Sequence, residues 1–123
     1  MTIPITSLAP KSLWSVLYKD EGHWRAGLYS PQFFSPDEIS TLERHTCPEL
    51  FVCLGGRAGL IIGSGAGERI VEMGPHQALL VTDYHNGYRI DESAYFLAIE
   101  RTAFSTQYID RKTGALLKKA EVS

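Results

Sequence analysis

The chain has 123 residues, 44% of them hydrophobic and 21% charged. That is the size and make-up of one folded domain over residues 1–123, and it excludes disordered, collagen-like and coiled-coil readings. Twelve Lys and Arg against fourteen Asp and Glu give a net charge of −2, too balanced to draw nucleic acid or an anionic membrane surface, so small molecules and proteins are the expected partners.

No charged-then-apolar leader precedes Met1-Thr2-Ile3-Pro4, and apolar runs such as Ala78-Leu79-Leu80-Val81 are only a few residues long. A membrane-spanning helix needs roughly 20. The expectation is a cytoplasmic, reduced protein in which Cys47 and Cys53 are thiols. Helical periodicity is nearly absent, and short apolar or alternating stretches are broken every roughly 8–12 residues by Gly, Pro, Asn or Asp. Residues 11–18 fit either a strand or a helical turn. Strands are then expected at 24–30, 38–45, 49–54, 58–62, 69–73, 77–82 and 94–102. The glycines within 63–67 form a loop, Asn86-Gly87 predicts a hairpin turn, and residues 110–114 read as another turn. The polar tail at 118–123 is expected to fray. Seven or more strands in about 100 residues make an all-β sandwich or barrel.

Several of these strands are apolar on both faces. Leu50, Val52 and Leu54 alternate with Phe51 and Cys53, and Tyr95, Leu97 and Ile99 alternate with Phe96 and Ala98. A sheet with one wet face does not read this way. Either the N-terminal segment or a second subunit covers the outer face, and a homodimer is expected.

The densest polar group in apolar surroundings is Glu43-Arg44-His45-Thr46-Cys47-Pro48-Glu49. Residues two apart on a strand share a face, so Glu43 and His45 project together, and Pro48 breaks the strand before Glu49 opens the next. His85 arrives as a fourth group after the intervening hairpin. If Glu49 points inward, Phe51 shares its face and gives the cluster an aromatic wall. Tyr84 and Tyr88 flank His85, and Tyr95 lies on another strand; a tyrosine hydroxyl at a pocket rim can orient a substrate. Phe51, Tyr88 and Tyr95 are the expected ligand-binding residues. Cys47 near the cluster could be a soft ligand or redox thiol but reads first as packing, His76 in a turn and His23 before the first strand read as exposed, and no Ser lies in the Gly-x-Ser-x-Gly context of a hydrolase nucleophile.

The spacing His45-x3-Glu49-x6-Gly56 resembles the second half of the first cupin motif, and Gly74 with His85 eleven residues later is similar to the second. The match spans about residues 24–102. It departs from the family pattern at Glu43, where a first histidine is usual, and at Leu80 and Thr82, where proline and glycine are usual. The resemblance implies a double-stranded β-helix, the cupin jelly-roll barrel, and a metal held by His45, Glu49 and His85. Two histidines and a carboxylate suit one divalent ion, iron, manganese, zinc or nickel, with open positions for a substrate. Glu43 is either a further ligand or a catalytic general base beside the metal. Dioxygenase, isomerase or lyase chemistry on a small organic molecule follows from the resemblance. The rival is a non-catalytic module, binding a small ligand or serving dimerisation without metal, whose polar cluster is a hydrogen-bond network.

Overall fold

This computed structural model describes residues 4–10 and 12–123; residues 1–3 and Lys11, where the first of the expectations above begin, lie outside the described residues. Eleven strands run β1 (Trp14–Asp20), β2 (Trp24–Tyr29), β3 (Thr41–His45), β4 (Glu49–Gly55), β5 (Ala58–Ile62), β6 (Arg69–Met73), β7 (Ala78–Val81), β8 (His85–Arg89), β9 (Tyr95–Arg101), β10 (Phe104–Asp110) and β11 (Leu116–Val122). They form two antiparallel sheets, in the orders β1-β2-β9-β4-β7 and β11-β10-β3-β8-β5-β6. Among the described residues only two short 3₁₀ turns, Pro36–Glu38 and Gly65–Gly67, are helical, and no helix is long and apolar enough to cross a membrane.

Alternation decides which side chains meet between the sheets. Phe51 and Cys53 of β4, Phe96 and Ala98 of β9, and Ala58 and Leu60 of β5 point inward and form the main buried cluster. The opposite face of the six-stranded sheet carries a second cluster, in which Leu42, Ile61, Tyr88 and Ile109 are covered by Ile39 and Phe33 from the β2–β3 connection. That connection is fastened by Arg111, whose Nη1 donates to the Ile39 carbonyl at 3.0 Å and whose Nε and Nη2 donate to the Glu68 carboxylate at 2.9 and 3.0 Å. The β4–β5 turn passes through Gly56 at φ +63°, with Ala94 so close that a Cβ here would stand 3.0 Å from its Cα. Only glycine satisfies both demands, which accounts for this residue in the Glu49-x6-Gly56 spacing.

Four expectations are corrected. Asn86-Gly87 is not a hairpin turn but the middle of β8. Asn86 spends its amide on the Thr41 carbonyl at 2.9 Å, and Gly87 sits beneath the Tyr29 ring, where a Cβ would stand 2.9 Å from the hydroxyl oxygen. Residues 36–38 turn in 3₁₀ form, with the Ser35 hydroxyl accepting from the Asp37 amide at 3.1 Å, so β3 starts at Thr41 and not at 38. The polar tail does not fray: β11 pairs with β10 from Val122 to Leu116, because backbone pairing at a sheet edge asks only that side chains tolerate water. Phe104–Asp110 is a strand that the sequence reading did not include.

Where a strand or a helical turn was expected, Trp14–Asp20 forms strand β1, which lengthens the first sheet beside β2. Residues 4–10 are exposed throughout.

Candidate functional site

The site lies between the sheets, where β3, β4 and β8 bring their polar residues together. Glu43 and His45 both face inward from β3, Glu43 sits directly opposite His85 of β8, and Glu49 is the first residue of β4 after the turn through Thr46-Cys47-Pro48. One oxygen, Glu49 Oε1, stands 3.2 Å from His45 Nε2 and 3.3 Å from His85 Nε2. Glu43 Oε1 is 3.7 Å from both nitrogens. The four residues that the sequence singled out for chemistry thus converge.

The far side of each imidazole is fixed. His85 Nδ1 lies 2.9 Å from the Asp83 carbonyl, which can only accept, so Nδ1 carries the proton and Nε2 of the neutral ring turns its lone pair to the centre. His45 Nδ1 meets the hydroxyl of Thr106, its cross-strand neighbour on β10, at 2.7 Å. Glu49 Oε1 and His85 Nε2 are both buried without a hydrogen-bond partner of good geometry. Burial pushes the Glu49 carboxyl upward, but the two imidazoles outweigh it and hold the group well below the usual carboxylate range. Burial pushes His85 downward, and Glu49, Glu43 and the Asp83 carbonyl more than reverse this.

The cluster forms one wall of a cavity of about 350 Å³, at the small end of ligand pockets. Phe51 stands in it roughly perpendicular to the His85 ring, centroids 5.6 Å apart, and Phe104 packs the same way on His45 at 4.8 Å. Tyr29, Trp14 and Tyr108 complete much of the lining. Tyr88 and Tyr95, expected as ligand-binding residues, are not in this cavity. Tyr88 lies three positions from His85, so the pleat turns it to the opposite face, where its ring covers Gly59. Tyr95 alternates with inward Phe96, Ala98 and Glu100 and therefore belongs to the outer face of the first sheet.

Two charged residues of the cavity escaped the sequence reading. Arg25 of β2 and Glu100 of β9 are directly paired in register, and Arg25 Nη2 stands 3.5 Å from Glu100 Oε2. Burial first, then the nearby Glu49 charge, pushes the Glu100 carboxyl up to about 7 against the pull of Arg25. A signal was present: Glu100 shares a face with Phe96 and Ala98, and an acidic residue on the inward face of an apolar strand marks a site. Cys47 is a buried free thiol, pushed upward chiefly by that burial.

No protein-family profile matches the chain, and no curated protein matches it by sequence. Among solved structures it resembles the Cnp3 cupin domain of Schizosaccharomyces pombe, with a TM-score of 0.51 at 16% identity over 72% of this chain and 58% of that one. The chain thus spans a little over half of that structure's length. A candidate sugar phosphate isomerase from Acidithiobacillus ferrooxidans aligns with a TM-score of 0.49 at 13% identity, over 81% of this chain and 67% of that one. The two sheets and this likeness define the class: the chain has the cupin jelly-roll fold.

Proposed function

We propose that this chain is a single cupin-like domain that binds one divalent metal through His45, Glu49 and His85, with Glu43 assisting, and acts on a small organic molecule. The carrying observation is the approach of two oriented imidazole nitrogens to one buried carboxylate oxygen at 3.2 and 3.3 Å. Two ligand atoms each about 2.1 Å from a shared ion, at tetrahedral or octahedral angles, stand about 3.0–3.4 Å apart. The unpartnered Glu49 Oε1 and His85 Nε2 also fit, since each buried polar atom left unpaired costs about 1–3 kcal/mol that an ion between them relieves. Glu43, Glu49 and two imidazoles suit iron, manganese, zinc or nickel.

A metal bound there supplies Lewis acidity toward a substrate carbonyl or carboxylate oxygen. The protein's own part is orientation and access. The Asp83 carbonyl and Thr106 hold the imidazoles, and Phe51 and Phe104 keep water off their rings. Glu43, about one-third exposed at its side chain, is placed to accept a proton from a bound molecule. Elemental analysis of untagged wild type beside His45→Ala tests the reading. Near-stoichiometric metal in the wild type and none in the variant is expected; a wild type that stays empty after anaerobic Fe(II) and Zn(II) reconstitution refutes it and favours the metal-free module.

We also infer a homodimer through the outer face of the first sheet. Leu50, Val52, Leu97 and Ile99 are half-buried there beside exposed Leu80, an apolar surface for a second copy to cover, while Pro4 and Thr6 are held toward its β1 edge by hydrogen bonds with the Tyr18 hydroxyl. Light scattering on the wild type and Leu80→Arg is expected to read dimer and monomer; a monomeric wild type overturns the inference.

A further inference from the structure

Among the described residues lining the metal-site cavity, Arg25 is the one permanently charged cation. Its guanidinium lies between two aromatic rings, 5.4 Å from the Trp14 centroid and 5.5 Å from that of Phe104. Such walls stabilise the flat cation and hold its plane. They also limit its access to water: the side chain is 18% exposed, and its Nε is buried without a partner among the described residues. Five N–H donors are answered by one contact, the long 3.5 Å approach to Glu100. A guanidinium serving only to neutralise Glu100 would be expected to close on it in the two-pronged geometry that the pair permits. A partly desolvated, preoriented cation with a buried donor left unpartnered favours a planar anion.

The electrostatics of the cavity allow one. Glu43 and Glu49 supply two negative charges and Glu100, its carboxyl pushed up to about 7 by burial, only part of a third; Arg25 and a divalent ion at the imidazole cluster match or exceed them, so a monoanion meets no net repulsion. Trp14 and Phe104 stand at Arg25, and with Phe51 they give apolar, aromatic walls to a space of about 350 Å³.

We propose that Arg25 is the specificity residue of this site and that the substrate class is a small apolar monocarboxylic acid. Its carboxylate lies on the Arg25 fork, and its body rests among Trp14, Phe51 and Phe104 against the metal cluster. This deepens the metal-site reading and rests on it.

The test is calorimetric titration of zinc-loaded protein with benzoate, with benzamide as its neutral counterpart of the same shape, and with benzylammonium. Benzoate is expected to bind about 10- to 100-fold more tightly than benzamide, the usual worth of a charged hydrogen-bonded contact. Arg25→Gln is expected to erase that preference with zinc stoichiometry unchanged, and Arg25→Lys, which keeps the charge without the fork, to lose most of it. Glu100→Gln frees the guanidinium and is expected to tighten benzoate binding. The Arg25→Gln, Glu100→Gln double variant leaves no unpaired charge, so it reads the lost preference even if the single variant unfolds. Equal binding of benzoate and benzamide, a preference that survives Arg25→Gln, or tighter binding of benzylammonium each overturns the proposal. Should the wild type retain no zinc, the metal-site reading fails by itself, and the benzoate-to-benzamide ratio of the metal-free protein, compared with that of Arg25→Gln, still decides the role of Arg25.

Discussion

Substituting Thr106 by valine removes one oxygen from beneath His45 and leaves the shape of the side chain almost unchanged. Thr106 is 1% exposed, and its hydroxyl is 2.7 Å from His45 Nδ1. No cavity forms, so the cost is that of a buried ring nitrogen stripped of its partner, about 1–3 kcal/mol. For a chain of this length, each kcal/mol lowers Tm by about 4 °C. The imidazole also loses the group that fixes its rotation, and loss of such a support weakens metal binding by about 10- to 100-fold. Thr106→Ser provides the contrast: it keeps the hydroxyl and loses one buried methyl, about 1 kcal/mol. Differential scanning calorimetry and competitive zinc titration of the two variants are expected to separate the effects, with both less stable and only Thr106→Val losing affinity. Unchanged Tm and unchanged zinc affinity in Thr106→Val would refute the orienting role; equal loss of affinity in both variants would assign the effect to packing.

Phe51→Ala removes a ring that is 2% exposed and touches Tyr29, Phe96 and His85; a loss of about 3–5 kcal/mol in urea denaturation is expected, and a loss below about 1 kcal/mol would contradict its place in the core. Gly87→Ala pushes a methyl to 2.9 Å from the Tyr29 hydroxyl and 3.3 Å from Leu60 Cδ2, and a loss of about 1–3 kcal/mol is expected, whereas a Tm equal to wild type would show that the Tyr29 ring yields freely. Arg111 holds the Glu68 carboxyl below its ordinary value of about 4.5 through their hydrogen bonds. Because the folded value is the lower one, the pair's stabilisation is complete above that ordinary value and is lost as pH falls through the folded value. Wild type and Glu68→Gln should therefore differ by about 1 kcal/mol in urea at pH 7 and converge toward about pH 2; a gap that persists in acid would rule out ionisation as its source.

Local pattern and spacing were enough for much of this protein. Alternation located seven strands to within a few residues, because period two at a half-buried surface is a property of the chain itself. His45, Pro48 and Glu49 were legible as a strand end, a break and a new strand, which sets two ligating groups near each other without any long-range contact. Asn86-Gly87 misled because turn preference is local and weak, and the pairing of β8 with both β3 and β5 outweighs it. The tail misled because composition predicts fraying, whereas β10 offers its open edge from 104 to 110. What only the tertiary structure decided is the company that the ligands keep. Thr106 reaches His45 from 61 positions away and Glu100 reaches Arg25 from 75, through the registers of β3 with β10 and β2 with β9. Those registers are set by the packing of two whole sheets against each other, and a residue's own neighbourhood in sequence carries no record of which strand will lie beside it.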